Sequence, residues 1–147
     1  MRIFLAFLFL LLLVPAFAVA QDDEKWPSLS YLRDDYKSVS IVAHIRIQQA
    51  EITGRIVGYE NWHVTAVVLE SFKGRFKKGD VINYFHGAEA GFKGEYFTGE
   101  KIVFLLSEAD PKTKEIRYSV LENSTLPSNP DRLRKLRLIK RSYYKRR

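Results

Sequence analysis

The sequence has no cysteine among its 147 residues, only one methionine, and five prolines. Without cysteine there is no disulfide framework, no thiolate metal site, no thiol nucleophile and no N-terminal cysteine to carry a lipid. Catalytic signatures are missing too. No serine stands in a Gly-x-Ser-x-Gly elbow, and there is neither a metalloprotease helix motif nor a phosphate-binding glycine loop. The glycine-rich stretch from Gly87 to Gly99 lacks that spacing. The residues therefore point away from an enzyme and imply no cofactor.

Charge of one sign is also scarce over most of the chain. The formal net charge is +7. From Gln21 to Pro130 there are 14 Lys and Arg against 16 Asp and Glu, whereas Asp131 to Arg147 holds nine Lys and Arg against one Asp. The body is near neutral, which argues against a basic nucleic-acid-binding domain. The excess belongs to the C-terminal stretch.

Long apolar runs are confined to the first twenty residues. Met1-Arg2 is a short positive start, Ile3 to Val14 is unbroken apolar, and Pro15 is followed by Ala16-Phe17-Ala18-Val19-Ala20. Ala18-x-Ala20 has the small-x-small pattern of a signal-peptidase site. The apolar run is shorter than the ~20 residues a spanning helix needs. Residues 1–20 therefore read as a signal peptide, with an uncleaved anchor as the alternative. Export without disulfides fits a bacterial envelope, periplasmic or secreted. Asn123-Ser124-Thr125 fits a glycosylation sequon, read in that setting as a polar turn.

The patterning beyond the leader is mostly of period two. Residues 21–30 read as a flexible segment, and a short helix fits near Tyr31, Leu32 and Tyr36, capped by Ser28 or Ser30. Val39, Ile41, Ala43, Ile45 and Ile47 alternate with polar residues as a half-buried strand does. Glu51 to Asn61, with Gly54 and Gly58, reads as a loop or strand bend. Further strands follow from Trp62, over Val81–His86, over Ile102–Leu106 and over Ile116–Val120. The last two are joined by an Asp110-Pro111 turn. Ser71 to Asp80 reads as a turn with solvated charges. After Leu126 the period becomes helical, with Asn129 as cap and Pro130 at the first position. Five short strands flanked by helices predict an all-β fold, a small five-stranded Greek-key barrel over residues 31–126 with a basic amphipathic tail over 127–147. A β-sandwich is the alternative.

Three segments carry a family resemblance. Tyr36 to Ile47 looks like the first strand of bacterial domains similar to the tissue inhibitors of metalloproteinases. Val68-Leu69-Glu70-Ser71-Phe72-Lys73-Gly74 with Lys78-Gly79-Asp80-Val81-Ile82 resembles their strand, Lys-Gly turn and strand. Phe97-Thr98-Gly99-Glu100-Lys101 leading into Ile102–Leu106 resembles their Gly-Glu-x-apolar strand. The similarity runs over roughly residues 30–121. It implies a netrin-like module of the OB fold. The animal inhibitors chelate a protease zinc through an N-terminal cysteine, and that mechanism does not carry over to a chain without cysteine.

Candidate sites follow from residue chemistry. His44 and His63 lie on the polar faces of the first two strands. A hairpin centred near Thr53-Gly54 would set them opposite each other, within reach of one metal ion. The competing reading is two exposed strand-face histidines. Phe92, Tyr96 and Phe97 sit in a glycine-rich connection, where large apolar groups either tuck onto the barrel or act as anchors for another exported or envelope protein. The tail interleaves Arg132, Arg134, Lys135, Arg137, Lys140, Arg141, Lys145, Arg146 and Arg147 with Leu133, Leu136, Leu138 and Ile139. Such a helix suits an anionic membrane surface or polysaccharide. It equally suits packing of its leucines on the barrel with a solvated basic end.

Overall fold

The structure is a computed structural model, and it describes residues 27–91 and 94–145. The expected signal peptide lies outside the described residues, as does most of the expected flexible segment. Helix α1 (Leu29–Ser38) is followed by strands β1 (Ile41–Ile56), β2 (Tyr59–Lys73) and β3 (Val81–Glu89). A 3-10 turn (Gly94–Phe97) precedes β4 (Glu100–Ala109) and β5 (Ile116–Pro127), and helix α2 (Pro130–Tyr144) closes the order. The strands form one closed barrel in the order β1-β2-β3-β5-β4, with β4 returning to β1. This is the expected OB-fold-like barrel, not a two-layer sandwich. β3 and β5 run parallel and meet at a single pair, Phe85 and Ser119.

Local chemistry explains the elements. The Ser28 hydroxyl accepts from the Tyr31 amide at 3.2 Å and starts α1. Leu32 and Tyr36, four residues apart, fall on one face and are buried. Asn129 caps α2 through its side chain, which accepts from the Arg132 amide at 2.8 Å, and Pro130 needs no amide partner at the first position.

Burial splits into two cores on either side of the sheet. The inner core fills the barrel with Ile41, Ala43, Ile45, Val64, Ala66, Val68, Ile82, Tyr84, Val103 and Leu105. The outer core lies beneath the helices, where Leu32, Tyr36, Leu136 and Ile139 meet Val42, Phe72, Ile102 and Phe104. The first five residues of β1 are therefore buried on both faces. The run Ile102–Leu105 at the centre of β4 is buried on both faces as well.

One expectation is corrected. Residues 51–56 are not a loop: β1 and β2 form one long hairpin whose turn is Val57-Gly58, with Ile56 opposite Tyr59. Backbone pairing to β2 satisfies the amides of this polar stretch, so it needs no apolar alternation to remain a strand. Gly58 supplies the positive φ, +81°.

Candidate functional site

The two candidate histidines are not brought together. Because the turn lies at Val57-Gly58, His44 pairs with Glu70 and His63 pairs with Glu51. His44 is buried against the outer side of the sheet. Its Nε2 lies 3.0 Å from Glu100 Oε2 and 3.0 Å from Ser128 Oγ. Glu100 also accepts from Arg46 at 2.7 Å, and that bond, more than the nearby histidine, holds its carboxyl below the usual range. His63 Nδ1 is 3.8 Å from Glu51 Oε1, and its ring faces Phe85. Among the described residues no three His, Asp or Glu side chains gather as a metal set would.

Of the two readings of the aromatic candidates, Tyr96 and Phe97 take the one in which they tuck onto the barrel. Phe97 is 4% exposed and stacks on Trp62 with ring centroids 4.5 Å apart. Tyr96 is half-buried, and its hydroxyl donates to the Thr125 carbonyl at 3.1 Å. These two rings plug one mouth of the barrel, because an apolar side chain on a short turn beside an open barrel end gains more by covering it than by facing water. Phe92 lies outside the described residues. Under the plug, Trp62 Nε1, Tyr84 Oη and His86 Nδ1 are buried without a hydrogen-bond partner. Burial pushes the Tyr84 phenol up and the His86 imidazole down.

The tail is a docked helix. Leu136 and Ile139 enter the outer core, and several of its cations serve the docking. Arg132 Nη1 donates to the Pro127 carbonyl at 3.0 Å. Arg134 and Lys135 both reach Asp131, at 2.6 Å each, and lower its carboxyl by hydrogen bonding, Lys135 first. Arg137 makes a two-pronged contact with Glu70, Nε to Oε1 at 3.0 Å and Nη2 to Oε2 at 2.6 Å. That fork holds the Glu70 carboxyl below its ordinary value. Lys140 Nζ donates to the Ser71 carbonyl at 2.7 Å. Arg141 and Lys145 are exposed and form no ion pair among the described residues. Arg146 and Arg147 lie outside the described residues.

A second basic segment joins the tail in space. β2 runs on past the start of β3, so its last residues pair with β1 alone. The chain then turns back through Gly74 (φ +99°) and Gly79 (φ +95°). Between this overshoot and the last turn of α2 lies an open groove of about 400 Å³. Leu69, Phe76 and Tyr144 line it on the apolar side, with the buried Phe72 behind them, and Lys73, Lys77, Lys78 and Lys140 line it as well. The lining carboxylate, Glu70, is already held by Arg137. Lys73 is fixed in place: Nζ donates to the carbonyls of Tyr36 at 2.7 Å and Val39 at 2.6 Å, and lies over the Tyr36 and Tyr143 rings. It thereby binds the negative end of α1. Sequence reasoning treated the turn cations as solvated and missed their meeting with the tail. The spacing Lys73-x-Arg75-x-Lys77-Lys78 was the one visible sign.

The Phe72-Lys73-Gly74 segment has a structural account of its own. Phe72 fills the outer core, Lys73 caps α1, and Gly74 lies where a Cβ would come within 2.9 Å of both the Ser40 carbonyl and the Ile41 side chain. Comparisons with protein-family models, with curated proteins and with solved structures find no match to this chain.

Proposed function

We propose that the protein is an exported, non-enzymatic binding module whose working surface is the groove between the β2–β3 turn and the end of α2. Its ligand is clustered anionic chemistry, the phosphate or carboxylate groups of an envelope lipid surface or polysaccharide. One observation carries this reading: two segments some sixty residues apart converge their lysines on one open groove whose lining carboxylate is already paired. Arg141 and Lys145, on the last turn of the same helix, extend the positive field. A netrin-like module is part of the proposal; it rests on the sequence resemblance, and the OB-fold-like strand order agrees with it. Docking of a partner on Tyr96 and Phe97 is disfavoured, because both rings already cover the barrel mouth.

The test is co-sedimentation with vesicles of anionic and of zwitterionic phospholipid, beside retention on an immobilised soluble polyanion. Each basic residue near an anionic leaflet contributes about 1 kcal/mol. Lys77→Ala with Lys78→Ala is therefore expected to weaken binding about 30-fold, and added salt weakens it further. Preference for vesicles over the soluble polymer assigns the lipid source, and the reverse assigns the polysaccharide. Undiminished binding by the double variant, with an unchanged salt dependence, would overturn the reading.

A further inference from the structure

The far end of the β1–β2 hairpin presents an apolar tip. Val57 is fully exposed, Ile56 is 67% exposed and Tyr59 is 52% exposed. Three apolar side chains within four successive positions of the turn thus stand largely in solvent. The tip is also stiff. Ile56 pairs with Tyr59, Tyr59 pairs with Glu89 of β3, and the Ala90 amide donates to the Gly58 carbonyl at 2.9 Å. A pre-ordered apolar tip loses little conformational entropy on docking. Among the described residues the charged neighbours of the tip are Arg55, Glu60 and Glu89, and Arg55 is engaged by Glu60 at 3.2 Å. An anionic bilayer repels such a tip.

The complement is at the other end of the same strands. The groove, about 400 Å³ and open, is lined by Leu69, Phe76 and Tyr144 and by four lysines. We propose that the tip of one copy docks into the groove of the next, Ile56, Val57 and Tyr59 against the apolar lining and Glu89 facing the lysines. The contact is head-to-tail, so the pair it forms keeps one free tip and one free groove, and assembly extends beyond a dimer. This rests on the groove being the binding surface proposed above. Anionic ligand and hairpin tip then compete for it.

The experiment is sedimentation equilibrium of the purified protein over rising concentration at low salt. The average mass is expected to climb without levelling at a dimer. Val57→Asp, on a fully exposed turn, and Lys77→Glu with Lys78→Glu should each give a monomer, with folding checked by circular dichroism. An equimolar mixture of these two variants is decisive. The intact tip of the lysine variant fits the intact groove of the Val57 variant, so the mixture should form a dimer and stop there. A wild type that stays monomeric to the highest concentration overturns the proposal, as does a mixture that stays monomeric. In either case, retained anion binding by Val57→Asp leaves the groove reading standing, and its loss from the lysine variant alone separates the two.

Discussion

β1 and β2 have opposite surroundings at their two ends. Near the helices, Val42, Phe72 and their neighbours are covered on the outer face by α1 and α2, while Ile41, Ala43 and Val68 face the barrel interior. Near the turn, no helix among the described residues covers the strands, and Ile56, Val57 and Tyr59 face solvent. The same backbone ladder runs through both regions, so hydrogen bonding does not distinguish them. Side-chain burial does. At the covered end the apolar side chains are spent on holding the fold, and Lys73, Arg137 and Lys140 are tied to carbonyls and a carboxylate, which leaves Lys77 and Lys78 at the groove. At the bare end the side chains are left available for something outside the molecule.

Substitutions sharpen this contrast, and the largest effects belong to the covered end. Phe72→Ala empties a fully buried site in the outer core and is expected to cost about 3–5 kcal/mol in denaturant unfolding. Gly74→Ala forces a Cβ against Ile41 and the Ser40 carbonyl at a positive φ, and about 1–3 kcal/mol is expected from the same measurement. Tyr36→Phe removes the hydroxyl that donates to the Phe72 carbonyl at 2.6 Å, for about 1 kcal/mol. At the bare end, Val57→Asp should leave stability within about 0.5 kcal/mol of the wild type. If Val57→Asp cost as much as Phe72→Ala, the division into a structural end and a free end would fail.

A pH titration probes the same division from a different direction. His86 has a folded pKa below its ordinary 6.5 because it is buried. The unfolded chain then binds the proton first as pH falls, so stability drops from near that value downward. Glu70 adds a second loss below its ordinary 4.5, since its folded pKa is lowered by the Arg137 hydrogen bonds. Thermal unfolding against pH should show both slopes, with His86→Phe removing the upper one and Arg137→Gln flattening the lower one. An upper slope unchanged in His86→Phe would count against burial of a neutral imidazole there.

The barrel was legible in the sequence because its strands carry local apolar patterns. The alternation from Ile41 to Ile47 marked β1 as a strand, although its first five residues prove buried on both faces, and the apolar run Ile102–Leu105 carried a direct signature of two-sided burial. The caps of α2 were legible for the same local reason, Asn129 and Pro130 acting within one helical turn. The hairpin turn was misplaced because Thr53-Gly54 and Val57-Gly58 both offer a glycine, and register depends on partners far along the chain. That slip alone set His44 against His63. The groove was not legible, because its halves are joined by tertiary packing: Leu136 and Ile139 must seat on Phe72 and Phe104 before Lys140 meets the β2–β3 turn. Both readings of Phe97 stayed open because no local pattern tells a plug from a protrusion.

The single bridge between β3 and β5 sets where the barrel is weakest. Every other seam is a ladder of several residues, whereas Phe85 and Ser119 are the one pair joining these two strands among the described residues. In mechanical terms the barrel is a sheet with a clasp. Opening the clasp breaks few bonds yet uncovers two strand edges, the kind of backbone template that recruits foreign strands. The slowest-exchanging amides should therefore lie between β1 and β2 and the fastest in the sheet along this line. Loss of solubility under mild stress should begin there, well before the helices leave the outer core.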